Sequence, residues 1–375
     1  MVAVSGRALA AAAGRAGYAP AVIDLFGDRD TRALAPGGVA VAGSLARGFR
    51  RQVLLAAAET LAPTGGLVYG AGFEARPELL AELGRGRRLF GNTPETLARI
   101  KDPAAFFPLL DRLGIPHPAV ALRRPAAPAG WLAKRVGGAG GVHVRPAEAA
   151  GGTGRRYYQR RVAGRAVGAL FLADGRRARL LGLSEQWPAP DRRGPRPYRF
   201  GGAARPAVIG RRQAREIGAA IGALVRDTGL VGLNSLDMMV DGDDFLVLEV
   251  NPRPGATLDI FDAAPGLFGL HVAACAGRLK RSWRAPAGAA ASAIAYADRP
   301  LKVGAAVRWP RWSADRPAAG SRIAPGEPVC TVLARARSAT AARARARERV
   351  AAVLAALSSA AARPRSKELD SCAHP

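Results

Sequence analysis

Residues 248–255 read Leu-Glu-Val-Asn-Pro-Arg-Pro-Gly, and this stretch decides the fold that we predict for the chain. The acid Glu249 and the amide Asn251 stand two residues apart, so on a strand they point to the same face. Glu249 also interrupts an otherwise apolar run, whereas a solvated strand face would show more polar neighbours. The alternative is an ordinary hairpin strand whose acid points to water, and we favour a functional site over it.

A second acid, Asp237, lies on the preceding apolar run, residues 230–240. The two runs are joined by residues 241–244, whose sequence Asp-Gly-Asp-Asp is typical of a hairpin turn. A turn centred on Asp243 places Asp237 six residues before it and Glu249 six after, so the two acids face each other. A change of one residue in the turn would put them on opposite faces. Two carboxylates and an amide oxygen suit magnesium that is bound together with substrate phosphates.

The composition narrows the class of protein. With 375 residues the chain can hold two or three domains, and an apolar content of 49% excludes an intrinsically disordered chain. The net charge of +27, mostly arginine, is compatible with nucleic acid, acidic membranes or anionic substrates. Because the arginines are scattered and aromatic residues make up only 6%, we rank a solvated surface first, phosphate attraction second and nucleic-acid binding third.

Cysteine usage and apolar segments indicate the compartment. Cys275, Cys330 and Cys372 are far apart and show no CxxC spacing, so neither a zinc site nor a disulfide framework is indicated. Arginines interrupt the alanine-rich start, which argues against a signal peptide. The uncharged stretch 285–297 is thirteen residues long, too short to span a bilayer. We therefore expect a soluble, cytoplasmic protein.

Local patterns predict how the chain is organised. In the first ninety residues short apolar runs alternate with helical segments, which predicts a small parallel sheet with helices on both faces. Thr93-Pro94 and Asp102-Pro103 each read as a helix N-cap followed by proline at the first helical position. The remaining predicted elements are a β-rich block over residues 120–162, an amphipathic helix over 211–226 that ends at Gly229, and a helix over 341–357.

Lys134 and the glycines after it form a second motif. Lys134 shares a strand face with Leu132 and Val136, where a lysine costs free energy unless an anion meets it. Residues 137–141 hold four glycines in five positions, which lets backbone N–H groups approach phosphate oxygens. The alternative is a plain hairpin loop beside a lysine whose head reaches water. The nearby acid hairpin favours the interpretation as a nucleotide clamp. The clamp is neither a P-loop nor a Rossmann dinucleotide motif, since GxxxxGK[ST] and GxGxxG are both absent.

Three further side chains bear on the chemistry. Lys101 lies between two helix-capping signals, and the residues alone leave open whether it reaches a phosphate or water. Arg253 lies two residues beyond Asn251, where it could stabilise developing negative charge beside the metal site. His143 borders the glycine loop, and we favour a structural role for it.

In these motifs the chain resembles the ATP-grasp superfamily. It is more closely similar to the group described as predicted ATP-dependent carboligases related to biotin carboxylase. The resemblance spans nearly the whole chain, and its most specific part is the last of the motifs. These are, in family order, residues 19–31 (APAVIDLFGDRDT), 91–94 (GNTP), 115–118 (IPHP), 134–141, 201–206 (GGAARP) and 232–259.

The resemblance implies a role for each matching residue. The metal ligands would be Asp237, Glu249 and Asn251; the phosphate-holding lysines, Lys101 and Lys134; the mobile lid loop, Gly137, Gly138, Gly140 and Gly141; the hinge whose backbone faces adenine, Gln159, Arg160, Arg161 and Val162; and the catalytic arginine, Arg253. Two positions depart from the family pattern. The hinge lacks the usual acids, and Ala166 stands where a ribose-binding glutamate is expected, which leaves the nucleotide contacts open.

The implied fold class is α/β, with α+β character in the ATP-grasp region. We expect a Rossmann-like preATP-grasp domain over residues 1–93 and an ATP-grasp domain over 94–265, with a small β-rich lid at about 120–162. An extension over 266–358 resembles the C-terminal part of biotin carboxylase, and residues 359–375 would form a flexible tail.

The implied activity is phosphoryl transfer from ATP to a substrate carboxylate, followed by attack of an amine that yields an amide, ADP and phosphate. It would require Mg²⁺ or Mn²⁺. The group resembles proteins associated with methanopterin- and methylofuran-linked one-carbon metabolism, so addition of glutamate to a cofactor precursor is the expected reaction. The alternatives are an ATP-grasp kinase or carboxylase component, and a non-catalytic nucleotide- or nucleic-acid-binding protein. We expect small-molecule partners, no nucleic acid or membrane, and a homodimer as the candidate assembly.

Overall fold

The structure is a computed structural model of the chain, and it describes residues 1–45, 47–151, 154–189, 196–262, 266–279 and 283–362. The N-terminal part is built from very short strands and four helices. Val2 pairs in parallel with both Ile23 and Tyr69, which joins the strands into the predicted small parallel sheet. The parallel pairs are β1 (Ile23–Asp24) with β2 (Val39–Ala40) and β5 (Gly66–Leu67) with β6 (Arg88–Leu89), while β3 (Gly43–Ser44) and β4 (Gly48–Phe49) form a separate antiparallel pair. The helices of this part are α1 (Arg7–Arg15), α2 (Arg29–Leu34), α3 (Arg51–Leu61) and α4 (Pro77–Gly84).

Two consecutive helices follow, α5 (Pro94–Lys101) and α6 (Pro103–Arg112). The hydroxyl of Thr93 accepts a hydrogen bond from the Thr96 N–H at 3.2 Å, and Asp102 accepts one from the Ala104 N–H at 3.4 Å. Each helix therefore begins at the proline that the sequence predicted, because a proline at the first position loses no intrahelical bond. This arrangement places Lys101 at the last residue of α5.

The β-rich block forms a separate antiparallel sheet in the strand order β7-β10-β8-β9. Its strands are β7 (Val120–Ala121), β8 (Trp131–Arg135), β9 (Arg145–Pro146) and β10 (Arg156–Arg160), with a short 3₁₀ helix at Ala147–Ala149. Lys134 pairs with Tyr157, and Leu132 with Gln159, across β8 and β10. The glycine loop therefore leaves this sheet at the end of β8.

An eight-stranded sheet carries the acid hairpin in the order β15-β14-β11-β12-β13-β16-β20-β18. Its strands are β11 (Arg165–Asp174), β12 (Ala178–Pro188), β13 (Phe200–Arg205), β14 (Val231–Asp241), β15 (Asp244–Asn251), β16 (Ala289–Tyr296), β18 (Ser313–Ala314) and β20 (Pro328–Ala336), while β17 (Leu301–Lys302) pairs only with β19 (Arg322–Ile323). The last helices are α7 (Arg211–Thr228), α8 (Leu258–Phe261), α9 (Leu267–Cys275) and α10 (Ala339–Ala362).

The predicted amphipathic helix is α7. Its apolar stripe of Ile217, Ile221, Leu224 and Val225 is at most 1% exposed and packs in the core cluster that includes β14 and β15. Burial of each such side chain stabilises the fold by about 2 kcal/mol, which fixes the position of the hairpin. Gly229 ends the helix in the left-handed conformation, as expected of a glycine C-cap.

The later part of the chain differs from the sequence expectation. The alanine-rich run 285–297 holds β16, a buried strand in the same sheet as the acid hairpin, and α9 is a further helix that the sequence did not predict. The C-terminal helix extends to Ala362, and the rest of the predicted tail lies outside the described residues. The domain bounds stay a prediction. In the part of the chain that the structure describes, no helix is both long and apolar enough to cross a bilayer.

Candidate active site

The two acids of the hairpin face each other, but the geometry differs from the predicted one. Asp241 pairs with Asp244 across a two-residue turn, a register that would set Asp237 opposite Leu248. The register shifts by one residue after Asp237, so that Leu248 forms a β-bulge and Asp237 pairs with Glu249. The bulge therefore brings the two carboxylates together where the turn alone would not.

Asn251 completes this group. Its amide Nδ2 donates to Asp237 Oδ2 at 2.9 Å, while Gln186 Nε2 donates to Asp237 Oδ1 at 2.9 Å. The three predicted metal ligands thus lie together, and Gln186 from β12 orients the central one. Sequence reasoning missed Gln186, because nothing local links β12 to β14.

Lys101 lies directly on the oxygens of this group. Its Nζ is 3.1 Å from Glu249 Oε2 and 2.9 Å from Asn251 Oδ1, and its side chain is only 6% exposed. An ammonium group in this position indicates that the oxygens are arranged to face a positive charge. Two carboxylates and an amide oxygen are hard ligands, so this donor set fits Mg²⁺. The family resemblance, by contrast, predicts that Lys101 contacts the phosphates of the nucleotide.

Electrostatics separate the two acids. Burial and the nearby Glu249 raise the pKa of Asp237 above its ordinary range. Burial alone would also raise the pKa of Glu249, but Lys101 and then Lys134 outweigh it and lower that pKa. Glu249, with a side chain 32% exposed, is therefore the permanently ionised member of the pair.

Lys134 is held by the hinge. It is 8% exposed and donates to Gln159 Oε1 at 2.5 Å. Burial lowers the pKa of Lys134, because no carboxylate among the described residues pairs with it directly. Gln159 is 1% exposed and its Nε2 has no hydrogen-bond partner in the described chain. The hinge was predicted to act through its backbone, and the structure adds this side-chain contact.

The other hinge residues point outward. Arg160 stacks over Trp131 at 5.9 Å and donates to the Ala129 carbonyl at 3.2 Å. Arg161 is exposed and Val162 is half-buried. The guanidinium of Arg160 therefore packs against the four-stranded sheet β7-β10-β8-β9, which is the predicted lid.

The glycine loop is seated on two neighbouring segments. Gly137, at φ +69°, leaves no room for a Cβ, which would lie 2.6 Å from the Glu74 carbonyl and closer still to the Ala75 backbone. Gly141, also at φ +69°, presses on the Tyr198 carbonyl, and the Phe200 N–H donates to the Gly140 carbonyl at 3.0 Å. Gly138 packs on the ring of His143. Glycine is thus required at these contacts for steric reasons as well as for backbone freedom.

His143 is neutral and lies below the loop. Burial lowers its pKa to about 4, and its Nδ1 has no hydrogen-bond partner among the described residues. A cavity beside it is bordered by Lys101, Gly137, Gly138 and Glu249. The carboxylate group, the lysine and the glycine loop therefore surround one space.

Arg253 is anchored by a residue that sequence reasoning missed. Its Nε donates to Glu74 Oε1 at 2.8 Å, and Glu74 Oε2 accepts from the Gly72 N–H at 2.7 Å. Burial would raise the pKa of Glu74, but Arg253 and then Lys101 lower it, so the buried pair is ionic. Since residues 74 and 253 are far apart in sequence, no local pattern could have indicated this contact.

A carboxylate–amide group facing two lysines beneath a glycine loop, between a small lid sheet and a larger antiparallel sheet, is the arrangement of an ATP-grasp domain. Residues 100–257 match the family model described as the ATP-grasp domain, so the chain contains this domain as the sequence predicted.

The chain also resembles a curated protein in sequence. It is 26% identical over 228 residues to the carbamoyl phosphate synthase large chain of Rubrobacter xylanophilus, an alignment that covers 54% of this chain and 21% of that protein. The chain therefore spans about a fifth of the length of this curated relative.

Solved structures agree on the fold. Biotin carboxylase from Campylobacter jejuni superposes with a TM-score of 0.69 at 15% identity, covering 92% of this chain and 89% of that one. N5-carboxyaminoimidazole ribonucleotide synthetase from Thermus thermophilus gives 0.65 at 18% identity, covering 95% and 98%. At these identities the likeness concerns the fold. The predicted fold class is confirmed, and the predicted likeness to biotin carboxylase is confirmed for the fold.

Proposed function

We propose that this chain is an ATP- and Mg²⁺-dependent ligase that joins a carboxylate to an amine. The observation that carries the proposal is the convergence of Asp237, Glu249 and Asn251 with Lys101 at one end of the acid hairpin. A carboxylate-rich pocket edged by buried lysines suits a polyphosphate with its metal, and does not suit an uncharged ligand.

Mg²⁺ would be held by Asp237, Glu249 and Asn251. When bound, it would neutralise charge on the phosphate oxygens during transfer. Lys101 now contacts two of these ligand oxygens, so a metal must compete with its ammonium group or displace it towards the phosphates. That displacement would bring Lys101 to the role that the family resemblance implies.

Lys134 and the glycine loop would hold the nucleotide. Lys134 is buried with only an amide oxygen as partner, so an arriving phosphate supplies the counter-charge that it lacks. The loop seated on Glu74 and Ala75 keeps water from the reacting group, which matters because acyl phosphates hydrolyse readily.

Arg253 would act on the substrate side. Its guanidinium is fixed by Glu74 through Nε and by the Pro254 carbonyl through Nη1 at 3.3 Å, and Nη2 would face a carboxylate or the transferring phosphoryl group. The acyl phosphate formed from the carboxylate would then be attacked by a neutral amine, giving an amide and phosphate. No side-chain nucleophile is required for either step.

The names of the relatives support a synthetase. They are a carbamoyl phosphate synthase and an N5-carboxyaminoimidazole ribonucleotide synthetase. The solved 2-oxoglutarate carboxylase domain from Hydrogenobacter thermophilus is a dimer in complex with MgADP and bicarbonate, which supports magnesium and a homodimer here. As the first substrate pair to test we propose glutamate with a methanopterin- or methylofuran-type precursor, with Mg²⁺ replaceable by Mn²⁺.

The test is ADP release by the full chain across a matrix of acids and amines, with bicarbonate among the acids. A ligase gives ADP that depends on both members of one pair, and mass spectrometry detects the amide. Complete ADP formation without any amine, with a stable phosphorylated product, would contradict the proposal and favour a kinase. Product formation from bicarbonate alone would indicate a carboxylase component.

Glu249→Gln, together with a matched control variant, tests the role of the metal ligands in that assay. The variant should keep the fold and lose turnover by at least about 1000-fold, because the permanently ionised ligand is gone. Asp243→Asn, an exposed acid in the turn of the same hairpin, should leave turnover unchanged.

A further inference from the structure

A second group of acids lies where three parts of the chain meet, and we name it the acidic cluster. It consists of Asp24, Asp28, Asp30, Asp259 and Asp315. Asp24 ends strand β1, Asp28 and Asp30 follow it, Asp259 lies in α8, and Asp315 follows β18. The group is separate from the Glu249 pocket, although residues 251–259 connect the two.

Four of the five acids have partners. Arg7 forms two-pronged ion pairs with Asp259 and with Asp315, the latter at 2.9 and 3.1 Å. Asp24 accepts from the N–H groups of residues 6, 26 and 27 at 2.8–3.2 Å. Asp30 accepts from the N–H groups of residues 315 and 316 at 2.8 and 2.9 Å.

Asp28 is the exception. It is 4% exposed, and its carboxylate makes no hydrogen bond or ion pair with any described residue. It stands at the N-cap of α2, yet its carboxylate does not cap that helix. Its charge is repelled by Asp315, Asp24 and Asp30 and attracted by Arg7, so the carboxylate faces the cluster. Thr31, one turn later, also has a buried hydroxyl without a partner.

The cluster leaves Asp28 without a bonded counter-ion. Arg7 is the guanidinium bonded within the cluster, and its four hydrogen bonds there go to Asp259 and Asp315 and not to Asp28. Arg316 lies 3.7 Å from Asp30 and does not pair with Asp28. A buried carboxylate without a bonded counter-ion is costly to ionise, so a cation that binds beside Asp28 would stabilise its charged form.

A metal ion is the less suitable cation. Within the described ranges, no three acidic, histidine or cysteine side chains converge in a geometry that would hold one. The oxygens of four of the acids accept hydrogen bonds from N–H, hydroxyl and guanidinium donors, so the carboxylate of Asp28 is the one without a bonded donor among the described residues. One carboxylate with a hydroxyl nearby matches the hydrogen-bonding needs of an ammonium group.

We propose that the acidic cluster binds a non-reacting ammonium group of a substrate, with Asp28 as its counter-ion. The inference rests on the proposed ligase function. An ammonium group held in an ion pair has no lone pair and cannot attack, so this group is distinct from the amine that forms the amide. The candidates are the amino group of an amino acid whose carboxylate is activated, and the second amino group of a diamine.

The test uses two matched pairs of probes on the full chain. L-glutamate and glutarate differ only by one ammonium group. In the second pair, 1,4-diaminobutane has two ammonium groups where 1,4-butanediol has two hydroxyl groups. Thermal unfolding and calorimetry measure binding of each probe, alone and with Mg²⁺ and a non-hydrolysable ATP analogue. We expect the ammonium-bearing member of one pair to bind and its partner to bind at least about tenfold more weakly. The pair that responds identifies the source of the ammonium group.

Asp28→Asn should weaken that binding at least about tenfold, while Asp243→Asn leaves it unchanged. Asp28→Ser provides a second variant should the first lose its native circular dichroism spectrum. Equal binding by the Asp28 variants, or no preference within either pair under both conditions, would overturn the inference. So would Asp28-dependent binding of Mg²⁺ alone, which would make the cluster a metal site. Asp28-dependent probe binding without any ATP turnover would refute the ligase proposal and leave this inference standing.

Discussion

Replacement of Asp28 by asparagine should stabilise the free protein, and by more at high pH than at low pH. Burial, followed by repulsion from Asp315, Asp24 and Asp30, raises the pKa of Asp28 from 3.8 to about 8. Between these two values the folded state binds more protons than the unfolded state. Stability of the wild type therefore falls as pH rises from about 4 to about 8, and this loss is absent from the variant.

The magnitude follows from the same numbers. The difference between 3.8 and about 8, at about 1.4 kcal/mol for each factor of ten in proton affinity, sets an upper limit of about 6 kcal/mol. Relaxation and water entry around a buried carboxylate remove roughly half of such a penalty, which leaves about 3 kcal/mol. For a chain of 375 residues, about 1.3 °C of unfolding midpoint corresponds to 1 kcal/mol, so we expect a gain of about 4 °C at pH 9.

The assay is differential scanning calorimetry of wild type, Asp28→Asn and the exposed control Asp243→Asn at pH 5 to 9, without nucleotide or amine. The difference between Asp28→Asn and wild type should shrink to about 1 °C at pH 5, whereas the control should show no trend. A difference that is constant with pH, or a variant less stable than wild type at pH 9, would refute the reasoning. It would mean that Asp28 already has a counter-charge in the free protein.

Three further predictions concern the proposed nucleotide site. Lys134→Ala should weaken ATP binding at least about tenfold in calorimetry while the exposed control Lys302→Ala does not; unchanged affinity would exclude the phosphate role. Gly137→Ala should slow turnover and weaken nucleotide binding, because its Cβ would meet the backbone of Glu74 and Ala75. Gly140→Ala is the control, since Gly140 shares the positive φ but a Cβ there would have nothing within 4 Å. Equal effects of the two substitutions would show that only backbone strain matters. Glu74→Gln should lower kcat more than it changes KM for ATP, and cost about 3 kcal/mol in stability, since it leaves Arg253 buried without a full counter-charge; a change confined to KM for ATP would contradict the orienting role.

How far sequence reasoning reached depends on whether a contact is local. The helix starts at Thr93 and Asp102 and the stripe of α7 follow from short-range chemistry, and all are present. The pairing of Asp237 with Glu249 was predicted from a three-residue turn, whereas the structure reaches it through a two-residue turn and a bulge at Leu248. A bulge has no sequence signature comparable to a turn, so the correct partner was predicted for a different reason.

The remaining contacts could not be predicted because they join distant segments. Strand β16 is an alanine-rich run whose residues carry neither strand nor helix periodicity, and its neighbours β13 and β20 determine its conformation. Glu74 meets Arg253, and Gln186 meets Asp237, only after folding. The resemblance to a known family supplied roles for the matching residues, but it could not supply these supporting partners.

The segment from Asn251 to Asp259 joins two anionic centres that differ in how their charge is balanced. At its start, Glu249 and Asn251 face Lys101, a flexible cation that can move when a metal and a phosphate arrive. At its end, Asp259 faces Arg7, whose guanidinium is held between Asp259 and Asp315 and forms no bond with Asp28. Since Arg253 lies between the two, one short segment would align a nucleotide on one side with a charged substrate on the other.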